Sequence, residues 1–340
     1  MIHPVVRWIL LSSCLFINGS SLLAQTPFRF PTANHALYDV GGELKFFAVT
    51  APEKPWTSGS FGCVRDNGWR IHEGLDIRHL QTDRRGEPTD PIMATADGTV
   101  MYINKRSGLS NYGNYIVIRH IVEGLEIYSL YGHLSAVRAD LKAGETVKAG
   151  EVIATMGRTS SNEAIAKYRA HVHFELNVLI NDNFAAWYKR NAPGERNDHG
   201  EWNGQNLNGL DVREILLDEH NPAHPFSLLE FIRSQTELCR VFVRATNFPY
   251  LKRYPALVLP NPIAAKEGVA GYEIAFNYNG VPFALMPVAA SEIKTKARIQ
   301  LLSVNEKEYR ANPCRKLVVE RGGHWQLADA GLRLVSLLTY

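Results

Sequence analysis

The alternation in Ala170-His171-Val172-His173-Phe174-Glu175-Leu176 constrains this chain more than any other feature. Phe174, Leu176 and Val178 are apolar and are separated by Glu175 and Asn177, the period of a half-buried β-strand. On a strand, residues i and i+2 share a face, so His171 and His173 present two imidazoles about 6–7 Å apart. That arrangement suits one metal ligand beside a proton-transfer group, or two ligands of one metal. An isolated His-x-His reads more simply as two partly exposed strand histidines. This one has company.

Upstream, Arg70-Ile71-His72-Glu73-Gly74-Leu75-Asp76-Ile77 supplies a His and an Asp four positions apart. In a straight strand they would stand roughly 13 Å apart, too far for one ion. A helix would make them neighbours, but Gly74 and the flanking apolar alternation argue against one. A strand bent at Gly74 lets both reach the same ion. Imidazole with carboxylate suits Zn2+, and three protein ligands with one open position make a catalytic rather than a structural zinc site. Between the two segments, Tyr128-Ser129-Leu130-Tyr131-Gly132-His133-Leu134-Ser135 reads as a strand entering a turn that carries a further His.

Five motifs now stand in order: His72-x-Gly74-x-Asp76, Ala94-x-x-Asp97-Gly98-x-Val100, Tyr131-x-His133-Leu134, Gly144-x-x-Val147-x-x-Gly150-x-x-Ile153 and His171-x-His173-Phe174-Glu175. In this order they resemble the lysostaphin-type (LytM-like) zinc metallopeptidases, which cleave peptide bonds in bacterial peptidoglycan. The resemblance runs from about Ser58 to Leu179, with a tail at Pro225 to Ile232. It implies His72, Asp76 and His173 as the metal ligands. His133 and His171 then form the catalytic pair that activates a water and stabilises the oxyanion, with the division of labour between them open. It also implies a mainly β fold, with a two-layer antiparallel β catalytic domain of the LytM-like, duplicated hybrid-motif type. The short strands read from residues 61–179 agree in β content.

Residues 1–24 read as an export signal, with Arg7, an apolar run from Trp8 to Phe16, and a cleavage site after Leu22-Leu23-Ala24. Leu11-Ser12-Ser13-Cys14 resembles a lipobox, but the apolar stretch before it is short, so simple cleavage is expected, with the product periplasmic or extracellular. No later apolar run is long enough to span a membrane. A net charge of +3 in 340 residues is no nucleic-acid signature. Beyond Cys14 stand Cys63, Cys239 and Cys314. Cys239 with Cys314 is the more natural bridge, both being C-terminal, which leaves Cys63 free.

Residues 25–57 are expected to form an N-terminal arm, 58–234 the zinc peptidase unit, and 235–340 a smaller, mainly β C-terminal domain of unknown role. Two departures from the family pattern stand out. Ser160 replaces a Gly, and the run from Asn162 to Tyr168 is helix-prone. A polar insertion spans 181–221; its Trp187, Tyr188 and Trp202 are expected to pack, and its His199, like the nearby His220 and His224, to lie at the surface. Strands are expected at Val241–Ala245, Gly271–Tyr278 and Ile299–Val304, with Asn279-Gly280 turning a hairpin. Trp325 to Leu338 reads as a helix or a strand pair. The expected activity is that of an exported zinc metalloendopeptidase acting on peptidoglycan stem or cross-bridge peptides through a zinc-activated water. The alternative is a non-catalytic cell-wall factor that activates an amidase, whose expected mark is loss of a metal ligand.

Overall fold

The computed structural model describes residues 27–340 apart from 163 and 224. The export signal and Cys14 lie outside the described residues. The structure is mainly β. Its first strands are β1 (Gly62–Arg65), β2 (Arg70–His72) and β3 (Leu75–Arg78). They are followed by β4 (Gly98–Asn104), β5 (Asn114–Val122), β6 (Leu125–Leu134), β7 (His171–Leu179) and β8 (Leu207–Gly209). The main sheet runs β8-β7-β6-β5-β4 and ends on the short strand Thr146–Val147; β3 pairs with β7 as well, and all pairings are antiparallel.

β7 is the axis of this sheet. One of its edges pairs with β6, while the other takes β3 along His171–Phe174 and β8 along Asn177–Leu179. Val172, Phe174, Leu176 and Val178 point into the main core, where Ile92, Ile153 and Ala154 of a second, three-stranded sheet meet them. The opposite face carries His171, His173, Glu175 and Asn177. The alternation predicts a half-buried strand, yet all nine residues of β7 are buried. The polar face is covered because Tyr112 and the insertion pack over it.

The insertion is folded. Its helix α1 (Phe184–Asn191) buries Phe184, Trp187 and Tyr188, and α2 (Val212–His220) buries Val212, Ile215 and Leu216. Both sets fall at i, i+3 and i+4, one face of a helix. Asp211 caps α2 by accepting a hydrogen bond from the Glu214 N–H. By contrast, among the described residues of the helix-prone run Asn162–Tyr168 the helical structure is one turn, at Lys167–Arg169. Arg158 reaches along the segment to the Ile165 carbonyl (3.0 Å) and holds Glu87 with its other nitrogens, and Ala166 is extended (φ −62°, ψ 148°).

The C-terminal sheet contains β9 (Cys239–Val243), β10 (Gly271–Phe276), β11 (Pro282–Val288) and β12 (Ile299–Val304), in the order β11-β10-β9-β12. Asn279-Gly280 turns the chain between β10 and β11, with Gly280 at φ +84°. The last segment contains both a strand pair, Val318–Arg321 with His324–Leu327, and a helix, α3 (Asp329–Leu338). This sheet shares one hydrophobic core with the main sheet. Across the junction the Tyr254 hydroxyl donates to the Glu126 carbonyl (3.0 Å) and accepts from the Leu179 N–H (2.9 Å).

The expected Cys239–Cys314 bridge does not form. Cys314 is bonded to Cys63, with Cα atoms 5.3 Å apart, and Cys239 is a buried free thiol. Cys239 lies on β9, between two strands of its own sheet, facing the core. The chain after Ala311 instead crosses back to β1, which forms a two-stranded sheet with β2. Burial, reinforced by Glu237, pushes the Cys239 thiol up to about 12, which keeps it unreactive.

Candidate metal centre

Strand β2 ends at His72 and β3 begins at Leu75, so the chain breaks at Glu73-Gly74 as the spacing requires. Gly74 lies so close to β7 that an added Cβ would stand 2.2 Å from the Phe174 carbonyl oxygen. This close approach brings the His-x-Gly-x-Asp segment onto the HxH strand, with Asp76 directly opposite His173.

Three side chains converge there. His72 Nε2 is 3.0 Å from Asp76 Oδ1 and 3.1 Å from His173 Nδ1, and His173 Nδ1 is 3.1 Å from Asp76 Oδ1. All three residues are buried, and the group could hold a metal ion. Their outer contacts choose the atoms that face inward. The Nδ1–H of His72 donates to the Ser60 carbonyl (2.7 Å), leaving Nε2 with a lone pair. His173 turns Nε2 toward the Glu175 carboxylate (2.7 Å), leaving Nδ1 inward. Such outer partners fix the ring orientation and tautomer of metal-binding histidines. Two imidazole nitrogens and a carboxylate oxygen match the donor preferences of zinc.

The electrostatics also call for a cation. Burial works against charge on Asp76, but His171, His72 and Arg65, with a hydrogen bond from His173, hold its carboxyl well below the usual range. Burial likewise disfavours charge on His173, yet hydrogen bonds to Asp76 and Glu175 raise its imidazole to about 10. A proton therefore sits between two carboxylates where a metal ion would otherwise supply positive charge.

The two remaining histidines are adjacent. His171 Nε2 lies 3.4 Å from Asp76 Oδ1, and the His133 ring centroid is 4.8 Å from that of His171. The Nδ1–H of His133 donates to the Thr159 carbonyl (2.7 Å), and that of His171 to the Arg169 carbonyl (2.6 Å). Both rings therefore offer Nε2 as a base. Burial, aided by the neighbouring His171 and His173, pushes His133 down to about 3, and burial also lowers His171. Both are neutral near pH 7. His133 has a positive φ of +61°, a conformation that favours glycine and recurs where function sets the backbone.

The structure thus brings together all five residues singled out from the sequence. It adds three more to which the sequence reading assigned no role. Arg65, at the end of β1, holds the second oxygen of Asp76 at 2.5 Å. Glu175 orients His173, and its position two residues along the same strand face was the available signal. Tyr112 lays its ring 5.3 Å from that of His173. Burial, with Glu175 and Glu73, keeps its phenol protonated.

His199 is buried rather than at the surface. Its Nδ1 accepts from the Tyr102 hydroxyl (3.0 Å) and its Nε2–H donates to the Leu109 carbonyl (2.9 Å). The exposed His220 stacks on Tyr38, and His224 lies outside the described residues.

A family model described as Peptidase family M23 matches residues 70–185. The DD-carboxypeptidase/endopeptidase Mpg of Neisseria meningitidis is 34% identical over 110 residues, 32% of this chain and 21% of that protein. The chain thus spans about a fifth of the length of this relative. The murein hydrolase activator NlpD of Salmonella typhimurium is 32% identical over 132 residues, 38% of this chain and 30% of that protein. The lipoprotein NlpD of Yersinia enterocolitica is 37% identical over 94 residues, 28% of this chain but 84% of that protein. The chain belongs to peptidase family M23. The M23 match contains His72, Asp76, His133, His171 and His173. It leaves out Arg65, Cys63, most of the insertion and the whole C-terminal sheet.

Proposed function

We propose that this M23 chain is a zinc metalloendopeptidase that hydrolyses peptide bonds in peptidoglycan, with His72 Nε2, Asp76 and His173 Nδ1 as the zinc ligands. The observation that carries this reading is the convergence of those three atoms, each turned inward by its own outer partner. A bound zinc ion supplies Lewis acidity, polarising a carbonyl and lowering the pKa of water toward 7. The remaining work falls to the chain itself. His133 and His171 are neutral, with Nε2 free to accept a proton from the attacking water. The imidazolium so formed returns the proton to the leaving amine, and the second ring stabilises the developing oxyanion only in its protonated form, with Nε2–H as donor. Arg65 and Glu175 hold Asp76 and His173 in place.

The relative named as a murein hydrolase activator supports a second reading, in which the chain binds and stimulates another wall hydrolase. The intact donor set, beside two further histidines, favours the enzyme. Metal analysis combined with digestion of purified peptidoglycan, with and without chelator, tests this. Stoichiometric zinc and chelator-sensitive release of new amino groups are expected. His171→Ala should keep zinc and lose turnover, whereas His173→Ala and Asp76→Ala should lose zinc. Protein that carries no zinc and cleaves nothing, yet stimulates an amidase, would overturn the enzyme reading. Equal zinc loss in all three variants would make both HxH histidines ligands.

A further inference from the structure

Between the insertion and the C-terminal helix lies a cleft of about 160 Å³ that belongs to neither the metal centre nor the family match. Arg315 and Arg333 line it together with Asn208, Gln205, Trp187 and Leu334. No acidic residue is in the lining. Arg315 donates through Nη2 to Asn208 Oδ1 (2.7 Å) and through Nε to the Asn279 carbonyl (3.2 Å). Arg333 donates through Nη2 to Gln205 Oε1 (3.1 Å) and lies over the Trp187 ring at 5.1 Å.

Among the described residues neither guanidinium forms an ion pair. Other half-buried arginines here do: Arg138 pairs with Glu145 and Glu151, and Arg158 with Glu87. Glu73 and Glu175 act on Arg315 through space without an ion pair, but inside the cleft the two cations meet only neutral amides, so the cleft itself favours an anion. The guanidinium fork matches the two oxygens of a carboxylate. The lining also holds apolar surface from Leu334, Leu337, Leu317 and the Trp187 ring, which suits a short aliphatic group attached to the anion. A bare, strongly hydrated phosphate would gain nothing from that apolar surface. The volume exceeds by roughly tenfold what one water needs, enough for a molecule of several heavy atoms.

We propose that this cleft binds a small carboxylate with an adjoining short apolar group, either a free short-chain acid or the carboxyl end of a peptide. Arg315 and Arg333 take the carboxylate, and Leu334 with Trp187 takes the tail. The proposal does not depend on catalysis at the metal centre.

Titration calorimetry and thermal unfolding of the full chain test it, with N-acetylalanine, N-acetylalaninamide, butyrate and inorganic phosphate as probes. N-acetylalanine is expected to bind saturably in the millimolar range and to raise the unfolding midpoint. The amide, which differs only in lacking the carboxylate, should bind at least about tenfold more weakly. N-acetylalanine tighter than butyrate would support a peptide end, and equal affinities a free acid. Arg333→Gln, on a half-exposed helix surface, should fold and lose at least about tenfold in affinity. Arg315→Lys, which keeps the charge without the fork, should weaken binding less than Arg315→Gln. Equal binding of acid and amide, unchanged affinity in folded Arg333→Gln, phosphate binding as tightly as the carboxylates, or no saturable binding of either acid would each overturn the proposal.

Discussion

Replacing Gly74 by Ala tests how the metal centre is assembled. The new methyl would lie 2.2 Å from the Phe174 oxygen, 2.8 Å from Glu175 Cγ and 2.9 Å from the Phe174 carbon. Two of these atoms belong to the backbone of β7 and cannot swing aside. Relief to ordinary contact requires the Glu73-Gly74 corner to withdraw by about 1 Å. His72 and Asp76 flank this corner, and their donor atoms now meet each other and His173 at 3.0–3.1 Å. Metal–ligand distances tolerate only about 0.2 Å of error, so a withdrawal of this size is several times too large. Zinc affinity should fall by roughly 100-fold or more, since loss of a supporting contact alone costs roughly 10–100-fold. Overpacking should also cost about 1–3 kcal/mol of stability. Competition with a chromophoric chelator reads the affinity, and thermal unfolding in chelator reads the stability. Gly271→Ala is the control: its methyl would meet the Val243 oxygen at 2.6 Å, far from the site. Gly271→Ala should lose stability and keep its zinc affinity. If Gly74→Ala binds zinc as tightly as Gly271→Ala does, the close approach at Gly74 is not what assembles the ligands.

Glu175→Gln should weaken zinc binding by roughly 10–100-fold while leaving the fold intact, because the amide no longer supplies the charge that fixes the His173 ring; unchanged affinity in the same competition assay would remove Glu175 from the site. Burial raises Glu219 from 4.5 to about 8 against the one hydrogen bond it accepts, from the Phe28 N–H. The folded chain therefore keeps a proton that the unfolded chain releases above pH 4.5, so this group's stabilisation is full below 4.5 and lost as pH rises through about 8. Between those limits wild type should lose on the order of 3 kcal/mol relative to Glu219→Gln, after allowance for partial solvent exposure; parallel stability–pH curves from denaturant titration would refute this. Peptide mapping without reduction should recover Cys63 joined to Cys314 and Cys239 as an alkylatable thiol once the protein is unfolded. Because 251 residues separate the bridged cysteines, Cys63→Ser should lower stability by up to roughly 5 kcal/mol in the chain-entropy account. A drop no larger than that of Cys239→Ser would speak against the bridge.

What the sequence by itself determined was local. The alternation around His171 and His173 required a strand with two imidazoles on one face, and Gly74 between His72 and Asp76 required a bend. Each of these follows from a few consecutive residues, because the two-residue period of a strand and the clearance available to glycine are properties of the backbone. The insertion was legible too, in Phe184-x-x-Trp187-Tyr188 and Val212-x-x-Ile215-Leu216, although its polar composition reads first as a loop. Tertiary structure decided which distant segments meet. Cys314 bonds to Cys63 rather than to the nearer Cys239, because the chain after Ala311 returns to β1 while Cys239 is held inside its own sheet. Arg65 reaches Asp76, His199 is buried against Tyr102, and Arg315 and Arg333 come to share a cleft, all without any periodic sign in their neighbourhoods. Such meetings arise when two sheets close over one hydrophobic core. That burial is non-directional and summed over many side chains, so no short stretch of sequence records which polar groups it will bring face to face.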